Sequence, residues 1–464
     1  MTTFNLLSLP TECLTEICSH LCLHCTLPFP RSMSIYKGFD ELRALKSISE
    51  SCQRLRAIAQ PILFHALGPQ NDSNAFLWLI VSRPDLGDRT RQIRFNSNSG
   101  EDVEVLEDLG KKLNLLLPNQ TSPEGHTAWN LAKPTFAFEI LLSLLPNLES
   151  YTTPIFCYGD QANENTGPFM YSHLTRRAEH LHPRPALPSL RTLTIASGYL
   201  GQRADDASTL QPIVALLNAA PNLHRLRIVP FFEGHIFTLD NLSDEALQKV
   251  KVMDFLHFPL TSWNGENTNA EIQTFASLCP RLEEVNLCTE SDSNPYAEHR
   301  EFSPTQIILA LSRASATLKR IDIDTSDSAV TTDHANLDSA LSSLECLESL
   351  SLDEQSFCHH GLQEPNLMTQ EHNDASCISS ILPDTVKHLS IKLGKSLRAI
   401  DDVVELGGQV VAGKFTNLNL VDVVFGKYAG YSVDISDAQR GVILGAFKDT
   451  PVNVYFRYVA HDTA

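Results

Sequence analysis

Apolar residues fall into two rhythms along this chain. From about residue 90 to 458, short pieces of the form Leu-x-x-Leu-x-Leu recur. The clear copies are Leu190/Leu193/Ile195, Leu223/Leu226/Ile228, Leu282/Val285/Leu287, Leu318/Ile321/Ile323, Leu347/Leu350/Leu352, Val386/Leu389/Ile391 and Leu418/Val421/Val423. Weaker copies start at Thr90 (Ile93, Phe95), Leu148 (Tyr151) and Leu247 (Val250, Val252). Many follow a proline and one further residue: PNL at 146 and 221, PSL at 188, PRL at 280. The last two apolar positions of each copy alternate with polar ones, which is strand spacing. Between the copies lie amphipathic segments with helical spacing at 135–145, 208–219, 271–278 and 305–313. Strand, helix and parallel strand in succession predict an α/β solenoid, in which each unit buries its apolar face only by stacking on its neighbours. A non-repetitive α/β domain with leucine-rich strands is the alternative.

The second rhythm is helical and occupies residues 5–66. Ser8-Leu-Pro-Thr-Glu12 reads as a helix start, with Ser8 as cap, Pro10 in the first turn and Glu12 at the positive end of the helix dipole. Leu14, Ile17 and Leu21 follow at helical spacing, and the helix must end before Pro28 and Pro30. An insert rich in Pro, Ser and Gly spans about 22–41. A second helix then carries Leu42, Leu45, Ile48 and Cys52, and a third carries Leu55, Ile58 and Ala59 up to Pro61. The predicted organisation is a three-helix domain at 5–66 and the α/β solenoid at 72–460.

Charge narrows the partners. The formal net charge is −19, from 55 acidic and 36 basic residues, which disfavours nucleic acid and anionic membranes. No Lys or Arg precedes Arg31, so the start lacks the basic region of a secretory signal, and the apolar runs at 76–81 and 140–145 are too short to span a bilayer. Eleven unevenly spread cysteines suit a reduced, intracellular chain, cytoplasmic and/or nuclear, in which the sequon at Asn119 carries no sugar.

Three stretches carry candidate chemistry. Cys18-Ser-His-Leu-Cys-Leu-His-Cys25, with Cys13 upstream, has the composition of a metal site. On a continuous helix, however, Cys18 and Cys22 point some 160° away from His20 and His24, so no single ion gathers them. Unwinding after about residue 22 would free His24 and Cys25. Leu406 to Thr416 nearly spells a phosphate loop through Gly408, Gly413 and Lys414, but Phe415 stands where a hydroxyl must hold magnesium. Cys358-His359-His360 reads as a solvated loop. No catalytic residue, cofactor or metal is expected.

The repeated motif resembles leucine-rich repeats, with two departures. Unit spacing is about 24–42 residues, longer than usual. The family's Asn or Cys three residues past the last Leu is replaced by Gly198, Phe231, Glu290, Ser326, Gln355, Gly394 and Gly426, so its asparagine ladder is missing. The N-terminal stretch Leu9-Pro-Thr-Glu-Cys-Leu-Thr-Glu-Ile17, then Leu21, Leu42, Leu45, Ile48, Leu55 and Pro61-Ile-Leu-Phe64, resembles an F-box, lengthened by the insert and without the tryptophan often found near its third helix. An F-box ahead of leucine-rich repeats is a familiar pairing in fungal proteins.

That resemblance implies the client-recognition subunit of an SCF-type (cullin–RING) ubiquitin ligase, without catalysis of its own. Leu9, Pro10, Leu14, Ile17, Leu21, Leu45 and Ile48 would dock on the SKP adaptor, and through it on cullin. The alternative is a repeat scaffold with a degenerate F-box. Residues between the inward leucines would face a client: Arg225, Arg227, Lys249, Lys251, Glu284, Asn286, Arg320, Asp322 and His388. Their order predicts a basic patch over two adjacent repeats, suited to an acidic or phosphorylated segment. A solvated mosaic with no ligand is equally compatible.

Overall fold

A computed structural model describes residues 6–26, 39–67, 73–94, 108, 140–155, 187–197, 216–229, 247–256, 273, 276–288, 304–312, 316–324, 337–357, 377–394, 397–428 and 431–460. The described chain is mixed α/β with a mostly parallel strand arrangement, and it divides into two compact units between Leu223 and His224. None of its described helices is long and apolar enough to cross a membrane.

The first unit opens with a 3-10 turn at Leu6–Ser8, followed by α1 (Thr11–His20), α2 (Leu23–Thr26), α3 (Phe39–Ser51) and α4 (Gln53–Leu63). The first helix begins at Thr11, and Ser8 is not its cap. Pro10 takes that place in an extended conformation with no side-chain cap bond, and its ring disfavours the helical region for Leu9 before it. The Arg54 guanidinium secures this entry by donating to the Leu7 and Leu9 carbonyls, the latter at 2.8 Å. Cys18, Cys22, Leu45, Ala59 and Ile62 form the small core, with Leu21, Ile48, Ile58 and Leu63 packed against it. Strand β1 (Ala66–Leu67), α5 (Ser73–Ser82), α6 (Pro84–Gly87), β2 (Gln92–Arg94), β3 (Ser150–Ile155) and β4 (Thr192–Ser197) complete the described part of this unit. Its strands pair in parallel in chain order, with Ala66 beside Gln92, Gln92 beside Ser150 and Ser150 beside Thr192.

The second unit continues the pattern with β5 (Arg225–Val229), β6 (Val252–Leu256), β7 (Glu284–Cys288), α7 (Pro304–Leu311), β8 (Arg320–Asp324), α8 (Leu337–Ser342), β9 (Ser349–Asp353), α9 (Glu354–Phe357), α10 (Cys377–Ile381) and β10 (His388–Lys392). Then come α11 (Ala399–Val411), β11 (Leu420–Tyr428), β12 (Tyr431–Val433), α12 (Asp437–Ala446) and β13 (Asn453–Ala460). Strands β5 to β11 are parallel, each beside its sequence neighbour. β13 lies parallel to β11 over eight residue pairs, from Leu420 beside Asn453 to Lys427 beside Ala460, while β12 runs antiparallel at the far end of β11. Gly426 makes the β11–β13 approach possible. Its φ is 146°, and a methyl there would lie on the Val459 carbonyl oxygen.

The motif explains itself at the strand entrance. Its first apolar residue closes a tight turn, as in Leu282 N–H to Cys279 O (3.0 Å), Leu347 to Leu344 (3.1 Å) and Leu418 to Phe415 (2.9 Å). The next carbonyl then accepts two N–H groups from the following unit. Lys251 O receives Glu283 and Glu284, Glu283 O receives Lys319 and Arg320, and Glu348 O receives Lys387 and His388, all at 2.8–3.0 Å. In the first unit, His65 O receives Arg91 and Gln92 in the same way. An asparagine just before the first apolar residue adds a side-chain rung. Asn147 donates to Asp88 O (3.0 Å), Asn222 to Pro188 O (2.8 Å) and Asn417 to Asp384 O (2.8 Å). Asparagine rungs therefore occur at three of the turns before a strand.

One expected register changes. The copy assigned to Leu247 begins at Val250, because Met253 and Phe255 pair with the inward Val285 and Leu287. Of the expected helices, 305–313 is found as α7, and the described ends of the others at 140–143, 216–219 and 276–278 are helical. Residues 135–139 and 208–215, most of the insert, Asn119 and Cys358–His360 lie outside the described residues.

Candidate functional site

On the N-terminal unit, the seven expected docking residues separate by burial. Leu14 and Leu45 are 1% and 0% exposed, so they belong to the interior and are not available to a partner. Leu21 and Ile48 pack against the core from its edge, Leu9 is half-buried, and Pro10 is exposed. Ile17 is 40% exposed and has two companions that sequence reasoning missed, Leu6 and Leu7, each at 41%. Their signal was a Leu-Leu pair just ahead of the assigned helix start. The exposed apolar residues of α1 and its approach are thus Leu6, Leu7, Pro10 and Ile17, while α5 of the same unit exposes Trp78 and Leu79.

The strand faces correct the expected basic patch. With β6 beginning at Val252, its outward residues are Val252 and Asp254. Lys251 precedes the strand, Lys249 lies further out, and neither belongs to that face. Asp254 instead sits between the two arginines. Arg225 grips its carboxylate through Nε (2.6 Å) and Nη2 (2.7 Å), Arg227 Nε adds a bond at 2.8 Å, and Asn286 Nδ2 another at 2.7 Å. Burial alone would raise the Asp254 carboxyl, but hydrogen bonds from Arg225 and the charge of Arg227 hold it below the usual carboxylate range. These charges are spent on one another. Glu284 in turn contacts Asn286 at 2.9 Å and Arg320 at 3.1 Å. Lys392 reaches across β9 to Asp322 (2.7 Å) and Asp324 (3.1 Å). Burial alone would lower the Lys392 pKa, but Asp324 and Asp322 raise it above its ordinary value. Lys251, Glu283 and Lys319 form an alternating surface row, with Lys251 and Lys319 at 2.6 and 3.5 Å from the Glu283 carboxylate.

The same face differs towards its last strands. His388 Nε2, Ser390 Oγ and Asp422 Oδ1 are buried without a hydrogen-bond partner, and Ser390 is paired in register with Asp422. Next to them on β13, Arg457 holds the other Asp422 oxygen at 2.6 Å. Tyr455, in register with Asp422, is 59% exposed.

A third cluster contradicts a sequence expectation. The first helix stops at His20, and Leu21 caps it with φ −95° and ψ 1°, so the assumption of a continuous helix through Cys25 fails. The chain turns at Leu21 and re-enters as α2, and Cys22, His24 and Cys25 converge with His65, which follows α4. These four residues form a potential metal-ligand set. Burial lowers His65 to about 4, aided by His24 and Arg91, and burial raises Cys25 to about 12. The near-phosphate loop dissolves in the opposite sense. Gly407 and Gly408 lie inside α11, Gly407 packs on Ala446, and Gly413 with φ 88° merely follows the helix end.

No family model matches the sequence, and no curated protein is similar to it.

Proposed function

We propose that the protein is the client-recognition subunit of a cullin–RING ubiquitin ligase, its N-terminal helices docking on the SKP adaptor and its strand array holding a client protein. The observation that carries this reading is the set Leu6, Leu7, Pro10 and Ile17. These residues stay exposed although the helices around them already enclose a core of Cys18, Cys22, Leu45, Ala59 and Ile62. Exposed apolar side chains on a small helical unit gain from burial against a partner groove. Hot-spot anchors of this kind contribute about 2 kcal/mol or more each.

The client end of the proposal rests on β10, β11 and β13. Arg225 and Arg227 are occupied by Asp254. An exposed tyrosine two residues from an exposed arginine on one strand has the composition of a protein-binding hot spot. Co-purification tests the docking. The adaptor is expected with the wild-type chain and is lost on Ile17→Asp or Leu7→Asp, which lie outside the helical core cluster and the residues packed on it. A wild-type chain that binds clients but never the adaptor would instead be a repeat scaffold, and the ligase reading would fall.

A further inference from the structure

We propose that Cys22, His24, Cys25 and His65 form a tetrahedral zinc site that ties the end of the N-terminal helical segment to the first strand. Their four ligand atoms lie within 4.8 Å of one another. Cys25 Sγ is 3.5 Å from His65 Nδ1 and 3.8 Å from His24 Nδ1. Zinc bonds of about 2.3 Å to sulfur and 2.0–2.1 Å to nitrogen place tetrahedral donors roughly 3.3–3.8 Å apart. These two pairs already stand at that separation. Two thiolates and two imidazoles are the donor set that selects zinc, and Cys22 and Cys25 have the two-residue spacing of a zinc knuckle.

A second, independent feature supports the assignment. His24 turns Nε2 towards the Glu149 carboxylate, 3.7 Å away, so that Nδ1 faces Cys25. Arg91 steadies the other Glu149 oxygen at 3.7 Å. A carboxylate behind a ligating imidazole fixes its tautomer and ring plane. Loading the ion replaces two S–H bonds by two Zn–S bonds and releases two protons, with no change of oxidation state. The consequence is mechanical. The His65 carbonyl receives the Arg91 and Gln92 N–H groups, both at 2.9 Å, so the ion would be held by the residue that starts the strand ladder. The site is independent of adaptor docking.

The test uses the full chain purified under reducing conditions. Zinc per chain is measured by plasma mass spectrometry, and the ion is then exchanged for cobalt(II), whose ligand-field bands report tetrahedral geometry and thiolate ligation. About one zinc per chain is expected from this donor set. Cys25→Ser and His65→Asn should lose at least about tenfold in affinity, Glu149→Gln about 10–100-fold, and Cys13→Ser, outside the cluster, nothing. The wild-type cobalt spectrum decides the matter even if a variant fails to fold. Wild-type protein with reduced thiols that neither carries zinc nor gives tetrahedral cobalt bands overturns the proposal. So does an iron–sulfur chromophore or a Cys22–Cys25 disulfide in the isolated chain.

Discussion

Replacing Asp254 by alanine isolates one buried charge cluster of the second unit. The Asp254 side chain is 1% exposed and receives four hydrogen bonds, two from Arg225, one from Arg227 and one from Asn286. The Arg227 side chain is itself only 8% exposed. Removing the carboxylate takes a shared counter-charge from two guanidinium groups, one of them cut off from water. Breaking a buried ion pair in this way costs about 3–5 kcal/mol. Arg225 retains more solvent, at 19% exposure, which places the expectation at the lower half of that range. Urea unfolding followed by far-ultraviolet circular dichroism measures it. The triple variant Arg225→Met/Arg227→Met/Asp254→Leu supplies the control. Replacing the whole triad by apolar groups should leave stability within about 1 kcal/mol of wild type or above it. A loss under about 1 kcal/mol in Asp254→Ala would refute the reasoning, because it would mean that water already serves both arginines. The same geometry makes Arg225→Glu/Arg227→Glu a poor probe of client binding. It puts three carboxylates together and unfolds what it is meant to test.

The client surface is better probed by Tyr455→Ala, which leaves the Arg457–Asp422 ion pair in place. Co-purified clients should fall at least tenfold while the thermal midpoint moves little, and unchanged capture would move the client site elsewhere. Asp402 gives a pH signature. Burial, with Glu354 and Asp401 nearby, raises its carboxyl to about 6. The folded state therefore holds a proton that the unfolded chain releases near its ordinary value of 3.8. Stability from this group is complete below that value and is lost as pH rises through about 6. Asp402→Asn, which keeps an acceptor for the Cys377 N–H, should flatten this loss in thermal scans across the same window. Gly426→Ala should cost on the order of 3 kcal/mol, through a strained φ and the clash with Val459. Hydrogen exchange should then show β13 opening ahead of β5–β10, and an unaltered β13 would contradict that account.

The strands were legible because their alternation is strict. All seven clear motifs became strands that start at the third motif position, as at Arg225, Glu284 and His388. The charge pattern was not legible, and a register ambiguity is the reason. Val250, Val252, Met253 and Phe255 offer two overlapping alternations, and only the neighbouring strands choose between them. A shifted frame exchanges the two faces of a strand. The wrong frame displayed Lys249 and Lys251 and hid Asp254, the residue that neutralises Arg225 and Arg227. Strand β13 went unnoticed because Val454 and Phe456 alternate without the leucine motif. On the helices, apolar spacing identified a stripe but not its depth, so Leu14 and Leu45 were placed on a docking surface they cannot reach. The Cys-His stretch failed for a different reason. Nothing local announces the turn at Leu21, and His65 joins from forty residues away.

The doubled carbonyl contact at each strand entrance also sets how this architecture can vary. Register is fixed by a few backbone atoms before the strand, identical in kind at Lys251, Glu283, Lys319, Glu348 and Lys387. Residues gained or lost in the connections do not disturb that spine, which is how a spacing of 29 residues (Leu318 to Leu347) and one of 39 (Leu347 to Val386) coexist in the second unit. Length is thereby uncoupled from alignment. The frame can conserve its backbone while its connecting segments drift in size and chemistry, so new recognition surfaces can arise by insertion without redesign of the interior.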